Sequence, residues 1–241
     1  MANDELTGAE KKEVAGRRSA RGEHRLPPAI AVVVAGLTYA LLPSDLLLAP
    51  RFVIPALEAI LLVALVITNP RRMTRETRWS RIASIAQATL VIGTNMVALG
   101  ILVHALTKPS TPGGPLLVAA MQVWVTNVIG FALLYWELDR GGPVARWAVP
   151  RSRMQAAEWR FSQDENHDAV TEVAASASAT SGWMPTFVDY LYVSLTNSSA
   201  FSPTDTMPLS SRAKVLMGVQ ATAALLTSLL VIARAVGSLT G

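Results

Sequence analysis

The chain has 241 residues, of which 51% are apolar and only 16% charged, with a formal net charge of +4. A soluble domain usually carries about 25% charged residues, so a soluble globular protein is disfavoured. There is no cysteine, which excludes disulfides, thiol catalysis and cysteine-ligated metals.

Residues 1–27 are polar and charged. A cleavable signal peptide would reach its apolar core sooner, so this stretch reads as a retained, disordered cytoplasmic tail. Its Lys11, Lys12, Arg17, Arg18, Arg21 and Arg25 read as a positive flank that fixes topology, and no nucleic-acid partner is expected.

Residues 28–137 hold four apolar blocks, at 29–42, 53–68, 82–106 and 116–135. Several approach the roughly 20 residues that cross a bilayer core, and they predict a four-span helical bundle. The second block is followed by Arg71, Arg72, Arg75, Arg78 and Arg81 in one short loop, whereas the loops at Arg51 and Lys108 carry one basic residue each. Arg140, Arg146, Arg151, Arg153 and Arg160 follow the fourth block. This alternation places the N-terminal tail and the arginine-rich segments on the cytoplasmic side of a bacterial-type plasma membrane.

Residues 138–182 contain no segment apolar enough to cross. Trp147 and Trp159 among arginines predict a helix lying on the inner surface, with a polar linker from 164 to 182. His167 with Asp164, Glu165 and Asp168 reads as a solvated loop, and no metal site is expected.

Residues 183–241 carry the functional question. A short aromatic helix, FVDYLYVSLT, runs into NSSAFSPTDTMP, and Arg212 and Lys214 then lead into an apolar block at 215–236. In a membrane, irregular backbone is tolerated only where protein buries it or where it lines a water-filled cavity. As a full crossing, 183–201 is marginal, because it contains Asp189, Ser194, Thr196, Asn197, Ser198 and Ser199. As a half-crossing helix with Pro185 and Thr186 at its start, that polarity makes sense. The re-entrant reading gives five spans and puts Arg212 and Lys214 inside, and the full crossing gives six and puts them outside. Charge favours five. The expected fold is therefore an all-α integral membrane protein of about five transmembrane helices plus a re-entrant, pore-loop-like hairpin.

The stretch LYVSLTNSSAFSPTDTMPLSSRAKVLM resembles the pore helix, filter and inner-helix start of bacterial two-span potassium channels. Those show an aromatic pore helix, a Thr-Thr-Val-Gly-Tyr-Gly-Asp filter, a short proline-containing loop and a basic start to the inner helix. Similar stretches occur in other bacterial integral membrane proteins. The resemblance spans about fifty of the 241 residues and sets Asp205 on the filter's closing aspartate. It implies an ion-conducting role, possible passage of a monovalent cation, and a homo-oligomer, because one such loop cannot enclose a pore. Ser199, Ser202, Thr204 and Asp205 would supply oxygen ligands, and Asp189 would face the bundle and hold the pore helix. Ser202 and Thr204 stand where the filter glycines would be, and Pro203 fixes its own φ, so a carbonyl-lined potassium filter is not expected. The alternative is a non-conducting scaffold or accessory subunit with a structural re-entrant loop.

Ionisable residues within spans are functional candidates. Glu58, His104 and Arg234 fall at similar depth in the five-span topology, and a Glu58–Arg234 ion pair is expected there. Asn95, Gln122, Asn127 and Gln220 are mid-span amides suited to hydrogen bonds across helices. No phosphate-binding glycine loop, HExxH or Gly-x-Ser-x-Gly is present, and neither enzymatic activity nor a cofactor is expected.

Overall fold

The computed structural model describes residues 22–106, 113–165, 168–199 and 205–239, together with position 8. Helix α1 (Leu26–Ala40) opens on a proline pair that needs no N–H partners in the first turn. A 3-10 turn (Ser44–Leu46) leads to α2 (Val53–Thr68). The turn after α2 is closed by Asn69, whose Nδ2 donates to Arg75 O at 2.7 Å and whose Oδ1 accepts from the N–H groups of Thr74 and Arg75. Next come α3 (Arg78–Leu106) and α4 (Gly113–Leu138), then the short α5 (Pro143–Ala148). Strand β1 (Trp159–Arg160), the one-turn helices α6 (Thr171–Ala174) and α7 (Ser178–Ser181), and α8 (Phe187–Ser199) follow. Strand β2 (Met207–Pro208) and α9 (Ser211–Leu239) complete the chain.

The chain is an α-helical membrane protein. Among the described residues three helices, α3, α4 and α9, are long and apolar enough to cross a bilayer, and α1 and α2 are shorter apolar helices. At 1.5 Å per residue the last two run about 22–24 Å.

Helix α4 is the centre of the bundle, packed by α3, α9, α8 and α1. Its face of Ala119, Val123, Phe131, Ala132 and Tyr135 is buried. Closest approach to α3 falls at Gly130, where a Cβ would stand 2.9 Å from Ile92 Cγ1 and 3.2 Å from Val91 Cγ1. Helices α1 and α2 meet where Gly36 faces Glu58, and a Cβ at Gly36 would lie 2.9 Å from Glu58 Oε2.

The basic segments gather at one end of the bundle. Residues Gly22–Arg25 run beside the arginine loop: Met73 N donates to Glu23 O (3.0 Å), Arg25 N to Arg71 O (3.3 Å), and Arg72 Nη1 to Gly22 O (3.2 Å). Arg81 Nη1 donates to Gly141 O, tying the start of α3 to the turn after α4. Strand β1 pairs antiparallel with β2, Trp159 opposite Pro208 and Arg160 opposite Met207. Helix α8 starts at this same end, where Phe187 N meets Glu23. The segment from α8 to β2 therefore leaves and returns at one end.

Two expectations are corrected here. The tail was expected to be disordered through residue 27, yet Glu23 and Arg25 are buried. Trp136 of α4, Arg146 of α5 and Phe187 of α8 hold Glu23 there, and Arg25 N donates to Arg71 O. The single surface helix expected around Trp147 and Trp159 is replaced by α5, a 3-10 turn (Arg151–Arg153) and β1. Pro150 stops the helix, and Trp159 turns inward to full burial against Tyr135, with ring centroids 4.7 Å apart.

The contact at Gly130 yields a test. Gly130→Val overfills the α3–α4 seam and is expected to cost about 1–3 kcal/mol, read as a lowered melting temperature of the detergent-solubilised protein. Gly93→Val, at a helix position with open space around it, is expected to leave the melting temperature near that of the wild type.

Candidate functional site

The chain reverses after α4 through Arg140, Gly141 and Gly142, all at positive φ (49°, 84° and 99°). Left-handed backbone is costly for a non-glycine residue and persists only where its surroundings demand it. Here they do. Arg140 Nη1 binds Asp139 Oδ2 and its Nη2 binds Asp164 Oδ2, both at 2.6 Å. At Gly142 the positive φ favours glycine, and a Cβ there would also displace Arg81 Nη1, 2.7 Å away.

Asp139 is fully buried and receives four donors. Its Oδ1 accepts from the backbone N–H of Glu158 (2.6 Å) and of Trp159 (3.4 Å). Its Oδ2 accepts from Tyr190 Oη (2.5 Å) and Arg140 Nη1. One carboxylate thus joins the end of α4, the β1 segment and α8.

Beside it lies a second buried pair. Arg146, 0% exposed, donates through Nη1 to Trp136 O (2.8 Å) and Asp139 O (3.0 Å), and its Nη2 faces Glu23 Oε2 at 3.4 Å. The guanidinium stacks over the Tyr190 ring, 5.0 Å from the centroid. Glu23 Oε1 accepts from Trp136 Nε1 (2.9 Å) and Phe187 N (2.5 Å). Burial pushes the Glu23 carboxyl above its ordinary range, and the Arg146 charge with the Phe187 and Trp136 donors works against that rise.

Helix α8 is held at its start by Asp189 and Thr186. Asp189 Oδ2 accepts from Thr186 N (2.7 Å) and Thr186 Oγ1 (2.8 Å), while Asp189 N donates to Thr186 O (3.0 Å). Asp189, half-buried, thus holds the first turn of α8 by bonding back to Thr186.

The inner face of α8 is bonded to Gln220 of α9. Gln220 Nε2 donates to Ser194 Oγ (2.5 Å), Ser194 O (3.0 Å) and Ser198 Oγ (2.9 Å). Its Oε1 accepts from Tyr135 Oη (2.7 Å) and Asn197 Nδ2 (2.8 Å). Ser194 Oγ in turn donates to Val128 O of α4 at 2.6 Å.

Of the remaining expected residues, Ser199 and Asp205 lie among the described residues. Ser199 is exposed at the end of α8, and its hydroxyl donates to Leu195 O (2.8 Å). Asp205 is exposed and accepts from Tyr192 Oη (3.1 Å). Ser202 and Thr204 lie outside the described residues, as does His167. Asp164 and Glu165 serve as ion-pair partners of Arg140 and Arg160. Among the described residues Glu58 lies against Gly36 of α1, and its helix α2 packs on α1 and α3, whereas α9, which carries Arg234, packs on α4, α8 and α3.

No protein-family model, curated protein or solved structure matches this chain.

The sequence reading did not single out Glu23, Asp139, Arg146 or Tyr190. One signal was present: YWELDRGG and HRLPP place charges directly against apolar blocks. Such charges read equally well as solvated flanks.

The Glu23 environment carries a pH prediction. With a folded-state pKa raised above its ordinary 4.5, Glu23 binds more protons in the folded protein than in the unfolded chain between those two values. Its contribution to stability is therefore full below pH 4.5 and declines as pH rises through the folded value. Glu23→Gln keeps an acceptor for Trp136 and Phe187 but cannot titrate. The melting temperature of the wild type minus that of Glu23→Gln should fall steadily from pH 4.5 upward. Glu23→Ala, which strands Arg146 and two N–H groups, should cost about 3–5 kcal/mol.

Proposed function

We propose that this protein is an ion-channel-like membrane protein, in which the segment 187–208 dips into the bilayer from the basic, cytoplasmic end. Cations pass a constriction formed by this segment from several copies. The observation that carries the reading is that α8 leaves from, and β2 returns to, the same end of the bundle. Thirteen helical residues advance about 20 Å, some two-thirds of a hydrocarbon core of roughly 30 Å. Five crossings follow, by α1, α2, α3, α4 and α9, with the N-terminus cytoplasmic by the distribution of arginine.

The chemistry that favours cations is the carbonyl end of α8. A helix C-terminus carries a partial negative charge, and half-helices that end within a membrane use it to hold cations. Ser199 stands at that end, and Asp205 comes six residues later in the chain. The inner face of α8 is taken up by α4 and α9, while Val188, Tyr192 and Leu195 on the other face are exposed. A single copy therefore encloses no pore around this segment, and the reading requires a homo-oligomer.

A specific observation favours the second reading, a non-conducting scaffold or accessory subunit. The Gln220 bonds already satisfy the polar side chains that a pore helix would offer.

The two readings separate in reconstituted vesicles. On the first, the wild type passes monovalent cations above the level of empty vesicles, and Asp205→Ala lowers the flux about fivefold or more by removing a charge near the mouth. Wild-type flux equal to that of empty vesicles, with a monomer in mild detergent, assigns the protein to the second.

A further inference from the structure

At the basic end, α1 and α8 flank a cavity of about 990 Å³. Its polar wall holds His24 and Arg72, its aromatic wall Trp147 and Trp183, and Pro27 and Val188 complete its apolar side. We propose that it binds one anionic phospholipid, with the phosphodiester at Arg72 and His24 and an acyl chain running into the bilayer between α1 and α8. This holds whether or not the 187–208 segment conducts.

The cation that lines the cavity is Arg72. Two carboxylates, Glu23 and Asp189, line it as well, but both are engaged. Glu23 is held by Trp136, Phe187 N and Arg146, and Asp189 Oδ2 takes two donors from Thr186. Arg72 gives one nitrogen to Gly22 O. A guanidinium has five N–H donors in a planar fork matched to phosphate oxygens, so the greater part of that fork remains for a ligand.

An apolar path leaves the same cavity. On α1, Ile30 and Val34 follow Pro27 at helical spacing and are exposed. On α8, Val188, Tyr192 and Leu195 do the same. The two helices touch, and Pro27 and Val188 line the cavity at the foot of these two faces, along which the acyl chain would run. Tryptophans at its mouth fit the headgroup level of a bilayer, where amphipathic rings concentrate. An arginine fork, an aromatic rim and apolar helix faces in that order match a glycerophospholipid with an anionic headgroup. Free phosphate would use only the first of the three.

The test uses the full chain in dodecyl maltoside, supplemented with phosphatidylglycerol, phosphatidylcholine or inorganic phosphate. Phosphatidylglycerol should raise the wild-type melting temperature by about 5 °C at saturating lipid, and native mass spectrometry should show one retained lipid. Phosphatidylcholine and inorganic phosphate should give no comparable shift. Arg72→Gln should abolish the shift, whereas Arg78→Gln, an exposed arginine of the same loop but outside the cavity, should keep it. Should Arg72→Gln fail to fold, Val188→Asp, at a position 59% exposed, places a negative charge in the cavity and should weaken the shift. Equal loss in the Arg72 and Arg78 variants would mean diffuse surface attraction and overturn the site. An equal shift with phosphatidylcholine or with inorganic phosphate would overturn the assigned ligand.

Discussion

The buried carboxylate of Asp139 is the constraint on which the basic end depends. A carboxylate out of water is tolerated only if its lone pairs are filled and its charge is offset. Asp139 meets both demands with two backbone N–H groups, one phenol and one guanidinium. Each donor comes with a geometric consequence. The N–H groups of Glu158 and Trp159 bring the chain back beneath α4, so β1 lies where β2 can pair with it. The Tyr190 hydroxyl sets α8 against α4. The Arg140 bond is made by a residue at positive φ, so the reversal after α4 and the neutralisation of Asp139 are one event.

From there the order propagates. Once β1 is placed, Leu209 N donates to Glu158 O (2.8 Å), and the Glu158 carboxylate accepts from Ser210 Oγ and Arg212 Nη2. Ser210 Oγ also caps α9 by accepting from Ala213 N at 3.0 Å. The start of the last long helix is therefore fixed through Glu158 to the backbone that Asp139 holds. Arg146 and Glu23 bring the N-terminal stretch into the same arrangement. Removing one member of such a network leaves the others buried without partners, which costs more than the net worth of the bond removed.

The apolar blocks were legible because their length and composition are local properties. The block at 82–106 became Arg78–Leu106, 116–135 became Gly113–Leu138, and 215–236 became Ser211–Leu239. The helices run past the apolar limits because backbone hydrogen bonding continues into the polar flanks. The gathering of arginines at one end was legible for the same reason. Asp139 was not, because its burial depends on Glu158, Trp159 and Tyr190, 19 to 51 positions away. Trp159 misled because an indole among arginines suits an interface, whereas the Asp139 bond to its backbone, its pairing with β2 and its Nε1 contact with Met217 Sδ direct it into the core. The expected Glu58–Arg234 pair matched depth along the membrane normal. Depth fixes one coordinate, and lateral neighbourhood, set by which helices pack together, decides the pair.

The polarity of α8 has two parts that argue differently about its role. Ser194, Asn197 and Ser198 lie on the buried side and are bonded to Gln220 or to the backbone of α4 and α9. These are the bonds any half-helix needs to remain among apolar neighbours, and they serve a scaffold as well as a channel. The carbonyls of the last turn differ, because an α-helix leaves its final four without intrahelical partners. Ser199 does little for them, since its hydroxyl proton goes to Leu195 O, one turn back. If α8 serves permeation, the attraction for a cation comes from these backbone oxygens and from Asp205, with the side-chain hydroxyls of α8 in a structural role. The likeness to a potassium-channel pore would then lie in where a helix ends rather than in the residues of a filter, which is consistent with the absence of filter glycines between Ser199 and Asp205.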